Sequence, residues 1–144
     1  MRDERYKMAV KISIIIPVYN EEESVKKLYE RILDVVRDKY SYEIIFIDDG
    51  STDLSAQNIK NIIAADPNVH LIVFRKNFGK AAALQAGFRN CTGDIIITMD
   101  ADLQDDPKEI PRFIAKLDEG YDLVSGWKQK RHDPLEKRLP SKLF

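Results

Sequence analysis

Five short runs rich in β-branched and apolar residues recur along the chain, each separated from the next by a segment of helical period. They cover residues 11–17, 42–47, 70–74, 94–99 and 121–125. Strands with one wet face alternate apolar and polar residues; these are nearly continuous in apolar residues, so both of their faces need cover. With helical segments as the connections, the pattern implies an α/β fold, a mainly parallel sheet with helices on both faces. The first connection carries Val25, Leu28, Tyr29, Ile32 and Val36 on one stripe, and Asn20 with Glu23 three residues on has capping-box spacing at its start. The second is centred on Ile59, Ile62 and Ile63 and stops before Pro67, and the third runs over 79–91. Asp106, Pro107 and Glu109 read as the start of a fourth helix containing Ile110, Phe113, Ile114 and Leu117, with Pro111 shifting its boundary by up to a turn.

At 144 residues and 44% hydrophobic composition, the chain has the size and apolar content of one domain. Lys and Arg number 23 against 24 Asp and Glu, a net charge of -1, so no global field favours nucleic acid and any anion site must be local. The single cysteine, Cys91, excludes an intrachain disulfide, suits a reducing cytosol, and on a predicted helix reads as a buried thiol. No apolar run reaches the roughly 18 to 20 residues that span a bilayer, and the charged opening lacks a secretory apolar region. The expectation is a soluble, cytoplasmic piece with an N-terminal extension over 1–10, a sheet domain over 11–127 and a basic segment over 128–144. That last segment holds Lys128, Lys130, Arg131, Lys137, Arg138 and Lys142 against Asp133 and Glu136, with no further strand pattern. A domain rarely finishes so, and the chain reads as the N-terminal part of a longer protein.

Ligands of open parallel sheets bind beyond the carboxyl ends of the strands. Here those ends carry the unusual residues. The fourth run, Ile95-Ile96-Ile97-Thr98-Met99, ends in Asp100-Ala101-Asp102-Leu103-Gln104. Residues i and i+2 of extended backbone point to one side, so both carboxylates can face one ligand, with the small Ala101 between them. Two like charges that close are costly unless a cation joins them, and a hard divalent ion with sites open for phosphate oxygens, Mg²⁺ or Mn²⁺, answers that need. Asp49, at the end of the second run, is suited to accept from the N–H groups of uracil or guanine, with a backbone turn as the plainer reading of Asp48-Asp49-Gly50-Ser51. Arg75 and Lys80 are cations near the proposed phosphate site; His70 and His132 read as structural or solvent-facing.

The motifs IIIPVYNEEES, IIFIDDGSTD, RKNFGKAAALQAG and MDADLQDDP, followed by DLVSGWKQKR, resemble in this order the family 2 glycosyltransferases of the GT-A, Rossmann-like nucleotide-diphosphosugar transferase fold. They are especially similar to dolichyl-phosphate mannose synthases and bacterial polyprenyl-phosphate glycosyltransferases. The resemblance covers the chain from about Lys11 onward. It implies that Pro17, Tyr19, Glu21, Ile47 and Asp49 line a nucleotide pocket, and that Asp100, Ala101, Asp102 and Gln104 hold metal and diphosphate. Where the mannose synthases carry an arginine after the glycine of the fifth strand, this chain has Trp127-Lys128, so Lys128 becomes the sugar-nucleotide contact, with charge but no bidentate fork.

The activity implied is inverting, Mg²⁺- or Mn²⁺-dependent transfer of a sugar from a UDP- or GDP-linked donor to a polyprenyl (undecaprenyl or dolichyl) phosphate. Asp102 is the catalytic candidate. A saccharide hydroxyl in cell-wall or surface polysaccharide synthesis is the alternative acceptor. A receiver-like phospho-acceptor domain and a non-catalytic nucleotide-binding module are the readings of other classes. The whole protein is expected at the cytoplasmic face of the cell membrane, without nucleic-acid partners, and homo-oligomerisation is compatible with the sequence.

Overall fold

The computed structural model of the chain describes residues 9–126. These residues divide into two compact units, 9–110 and 111–126. The first unit holds strands β1 (Lys11–Val18), β2 (Ser41–Asp48), β3 (Val69–Val73) and β4 (Ile95–Thr98), with helices α1 (Val25–Val36), α2 (Ser55–Ala65) and α3 (Lys80–Asn90) in the three connections. The sheet order is β3-β2-β1-β4 and every pairing is parallel.

The chain steps outward from β1 to β2 to β3 and then returns across the sheet to β4. Right-handed crossovers therefore place α1 and α2 on one face and α3 on the other. The side-chain period of two matches this. Ile12, Ile14, Ile16, Ile44 and Phe46 are fully buried on one face, while Ile15, Ile45 and Ile47 cluster with Ala83 of α3 on the other. Gly87 lets α3 approach closely, since a Cβ there would lie 2.4 Å from Ile15 Cγ2 and 3.1 Å from Ile47 Cδ1. Cys91 caps α3, half-buried beside this cluster, with its Sγ donating to the Phe88 carbonyl oxygen.

At the amino ends of the strands a buried charge ties the layers together. Glu43 on β2 is only 4% exposed, and its carboxylate accepts from Ser13 Oγ at 2.6 Å and from Thr92 N at 2.6 Å and Thr92 Oγ1 at 3.1 Å. Lys11 Nζ stands 3.4 Å from the same carboxylate and the exposed His70 Nε2 stands 3.8 Å away. Burial pushes this carboxyl upward, but the Ser13 and Thr92 hydrogen bonds and the Lys11 charge outweigh it and hold Glu43 below the ordinary glutamate value. Asp66, just beyond α2, joins α1 to β2 by accepting from the hydroxyls of Tyr29 (2.9 Å) and Tyr42 (3.0 Å).

Two sequence expectations fail. Asn20 and Glu23 form no capping box: α1 starts at Val25 with Ser24 as its cap, and the Asn20 side chain turns to a neighbouring loop instead. No strand forms over 121–125, where Tyr121 is 58% and Leu123 86% exposed and no strand among the described residues supplies ladder hydrogen bonds. The fourth helix begins with a 3₁₀ turn, Pro107–Glu109, whose cap Asp106 accepts from Lys108 N at 3.0 Å, and α4 follows over Ile110–Asp118. Pro111 falls in the first turn of α4, where its missing N–H has no helical partner to lose. In the second unit, a Cβ added to Gly126 would meet the Phe113 ring at 3.0 Å.

Candidate functional site

The strand order reverses at β1: β2 and β3 lie to one side of it and β4, reached through α3, to the other. The carboxyl ends of these strands therefore open onto the crevice where an α/β sheet takes its ligands. Four loops meet along this edge, and side-chain hydrogen bonds fix them to one another.

The β1 and β2 exits are laced together. Asn20, at φ +52°, accepts from Thr52 N through Oδ1 at 2.8 Å, while its own N–H donates to Ser51 Oγ at 2.9 Å. Glu21 N donates to Ser55 Oγ and Glu22 N to Asp53 Oδ2, at 2.9 and 3.1 Å, and Leu54 N returns a bond to Glu22 Oε2 at 3.0 Å. Burial raises the Asp53 carboxyl, yet the hydroxyl and N–H of Ser55 and the Glu22 N–H hold it below the ordinary aspartate value. Asp48 closes the turn by accepting from Ser51 N at 3.0 Å, and Gly50 sits at φ +74°. The plain turn reading of Asp48 is the one observed.

Asp49 does something else. It is 4% exposed, and its two oxygens accept from Phe78 N at 2.7 Å and Gly79 N at 3.0 Å, in the loop after β3. Gly79 caps α3 at φ +97°, ψ +161°, a conformation reserved to glycine. The first residue of α3, Lys80, carries its Nζ to Asp100 Oδ1 as an ion pair.

The β4 exit is a compact loop. Asp100 N donates to Asp105 Oδ2 at 2.8 Å, Gln104 N donates to Asp102 Oδ1 at 3.1 Å, and Leu103 takes φ +67°. Ala101 is 4% exposed, so its methyl turns inward while Asp100 and Asp102 on either side face the surface, Asp100 half-buried and Asp102 exposed. Carboxylate oxygens at the rim are the donors a hard cation takes, and at Asp100 the Lys80 ammonium occupies that place in this structure. Among the described residues no three His, Cys, Asp or Glu side chains gather as a metal-holding group. Such a cation would take the rest of its oxygens from elsewhere, as an ion shared with phosphates does.

Of the other sequence candidates, Tyr19 is 49% exposed on the rim and Glu21 accepts from Ser24 Oγ at 2.8 Å at the start of α1. Pro17 pairs in register with Ile47. The Ile47 side chain is fully buried against α3, which gives it a packing role. Gln104 lies at the β4 exit, while Lys128 lies outside the described residues. Sequence reasoning missed the lacing by Asn20 and the seizure of the Phe78 and Gly79 N–H groups by Asp49. The clustering of Asn, Asp, Ser and Thr in both loops was the available signal.

A parallel α/β sheet with clustered carboxylates and a lysine at its switch point is a frame for phosphate-bearing ligands. The chain belongs to glycosyl transferase family 2, whose family model matches residues 13–143. The receiver-like reading falls with that assignment. The chain is 46% identical over 135 residues to the undecaprenyl-phosphate 4-deoxy-4-formamido-L-arabinose transferase of Pseudomonas fluorescens, covering 92% of this chain and 40% of that protein. The Salmonella typhimurium transferase of the same name is 45% identical over 136 residues, covering 93% and 42%. The chain thus spans about two fifths of the curated relatives' length.

Among solved structures, the mannosyltransferase PcManGT of Pyrobaculum calidifontis, in complex with GDP-Man and Mn²⁺, superposes with a TM-score of 0.57 at 30% identity. The match covers 63% of this chain and 27% of that one. Glucosyl-3-phosphoglycerate synthase of Mycobacterium tuberculosis, in complex with Mn²⁺, UDP and phosphoglyceric acid, gives 0.63 at 25% identity over 79% and 41%. The sheet and its helices are those of the GT-A fold, in a chain shorter than its relatives.

Proposed function

We propose that the chain is the donor-binding part of an inverting glycosyltransferase that moves a sugar from a nucleoside-diphosphate sugar to undecaprenyl phosphate. The observation that carries this is the Lys80–Asp100 ion pair at the carboxyl end of β4, with the exposed Asp102 two residues on, in a family 2 sheet. The names of the relatives support the acceptor, and make a nucleotide-linked 4-deoxy-4-formamido-L-arabinose the first donor to test.

In this reading Pro17, Tyr19, Glu21 and Asp49 line the nucleotide end of the donor, which is UDP- or GDP-linked, with the buried Ile47 packed behind them. Asp100, Asp102 and Gln104 would hold Mg²⁺ or Mn²⁺, with Ala101 keeping the approach open. A cation there supplies neutralisation of the charge that grows on the leaving diphosphate. The Mn²⁺ complexes of the superposed enzymes support this assignment. Lys80 adds a second positive charge beside the phosphates, and Lys128 a third. As the acceptor phosphate oxygen bonds to the anomeric carbon, the bond from that carbon to the diphosphate oxygen breaks on the opposite face and the nucleoside diphosphate leaves. The attacking oxygen is already anionic, so no strong general base is required; a hydroxyl acceptor would need one, and the exposed Asp102 is the candidate here.

We assign residues 11–127 to donor binding, 1–10 to an extension and 128–144 to a basic link toward the acceptor part. With a lipid-linked acceptor, the whole protein works at the cytoplasmic face of the membrane, and no helix among the described residues is long and apolar enough to cross one. The test is transfer of labelled sugar to undecaprenyl phosphate by the full-length protein with Mn²⁺. Transfer that Asp102→Ala abolishes is expected, and undiminished transfer by that variant overturns the assignment.

A further inference from the structure

Asp49 presents both carboxylate oxygens to backbone N–H groups of a loop 29 and 30 residues further along the chain. Two donors on one buried carboxylate is a strong arrangement, because each charge-assisted bond exceeds a neutral one. The loop it grips is fixed at its other points too. Phe74 N donates to the Asp48 carbonyl oxygen at 2.8 Å, and Gly50 lies so near residues 76 and 77 that a Cβ would meet Lys76 C at 2.4 Å and Asn77 N at 2.5 Å. The Phe78 ring stands edge-on to Phe74 with centroids 5.7 Å apart, and Lys76 Nζ lies 5.1 Å over it. Immediately after the second gripped N–H comes Lys80, whose ammonium reaches Asp100. A continuous line of bonds therefore runs from Asp49, at the β2 exit, through Gly79 and Lys80 to the first carboxylate of the β4 exit.

We infer that Asp49 is a positioning residue for the diphosphate end of the site: it sets the start of α3, and with it the place of Lys80, whatever it also does to a nucleobase. This inference rests on the donor-site reading above and deepens it. A group that only reads the base has no effect on a ligand without one. A group that positions Lys80 affects such a ligand as strongly as the full nucleotide.

Inorganic pyrophosphate with Mn²⁺ is the probe without a base, and UDP with Mn²⁺ the probe with one, both titrated calorimetrically against the full-length protein. Asp49→Asn keeps the shape but replaces one acceptor oxygen by an NH₂ that cannot receive an N–H. It should weaken pyrophosphate binding about tenfold, the scale expected of one orphaned buried donor. In a Lys80→Ala background the same substitution should then add little, because the two act in series. Pyrophosphate affinity unchanged by Asp49→Asn, with UDP affinity reduced, overturns the positioning role while leaving the donor site intact. Failure of the unsubstituted protein to bind either ligand would instead sink the donor-site reading itself. Amide exchange of the unsubstituted protein tests the grip without any variant: the Phe78 and Gly79 N–H groups should exchange as slowly as those of β2, and rapid exchange at both overturns the inference.

Discussion

Gly50 is where backbone geometry and the site meet, and its replacement is worth following through. At φ +74° the residue lies in the left-handed region, where a side chain costs about 1–2 kcal/mol. Space is the second charge against it. A Cβ would sit 2.4 Å from Lys76 C and 2.5 Å from Asn77 N, backbone atoms that no rotamer change can move aside. Forced overpacking of this kind adds about 1–3 kcal/mol, so Gly50→Ala should lose about 2–5 kcal/mol in all. Gly50→Asn separates the two contributions, because asparagine tolerates left-handed backbone but carries the same Cβ. Urea denaturation followed by circular dichroism should therefore find the Asn variant destabilised by about 1–3 kcal/mol, less than the Ala variant by the dihedral cost. Both should also bind UDP more weakly, since the 76–77 backbone must shift. An Asn variant within about 0.5 kcal/mol of the unsubstituted protein would refute the clash and leave only the dihedral angle.

Gly87→Ala tests the seat of α3: alanine improves helix propensity by about 1 kcal/mol, but the new methyl meets Ile15 Cγ2 at 2.4 Å in a fully buried cluster. A net loss in thermal stability is expected, and a rise would show that the sheet yields. Glu43 makes stability depend on pH. Its folded value lies below the ordinary 4.5, so its contribution is complete above that value and is lost as pH falls from there through the folded one. Glu43→Gln should flatten that acid limb in a pH series of melts; an unchanged acid limb would assign the loss to other carboxylates. Tyr29→Phe should cost about 1 kcal/mol in urea denaturation by removing one of the two hydroxyls on Asp66.

The central strands β1 and β2 were legible because a parallel strand covered on both faces leaves a nearly continuous apolar run; β3 and β4 keep such runs although Val73 and Ile96 are exposed at the sheet edges, and each observed strand lies within a residue of its expected bounds. The run at 121–125, Tyr121-Asp122-Leu123-Val124-Ser125, has no ladder partner among the described residues, and it forms no strand. Composition marks what can be buried, whereas pairing depends on a neighbour the local sequence does not contain. The site residues were legible by position, since charged side chains at strand ends are unusual. Their partners were not: that Asp49 would reach the N–H groups of Phe78 and Gly79, or Asn20 those around Thr52, depends on how far apart β1, β2 and β3 hold their exits. Glu43 offered a missed signal, a lone charge inside an apolar strand, which must be paired if the strand is buried.

Electron paramagnetic resonance of free Mn²⁺, titrated with full-length protein in the presence and absence of UDP or GDP, addresses the carboxylate pair directly. The two rim aspartates should take up the ion strongly only when a nucleoside diphosphate supplies the remaining oxygens, and Asp102→Ala should abolish that uptake. Nucleotide-dependent uptake that survives the substitution would contradict the account.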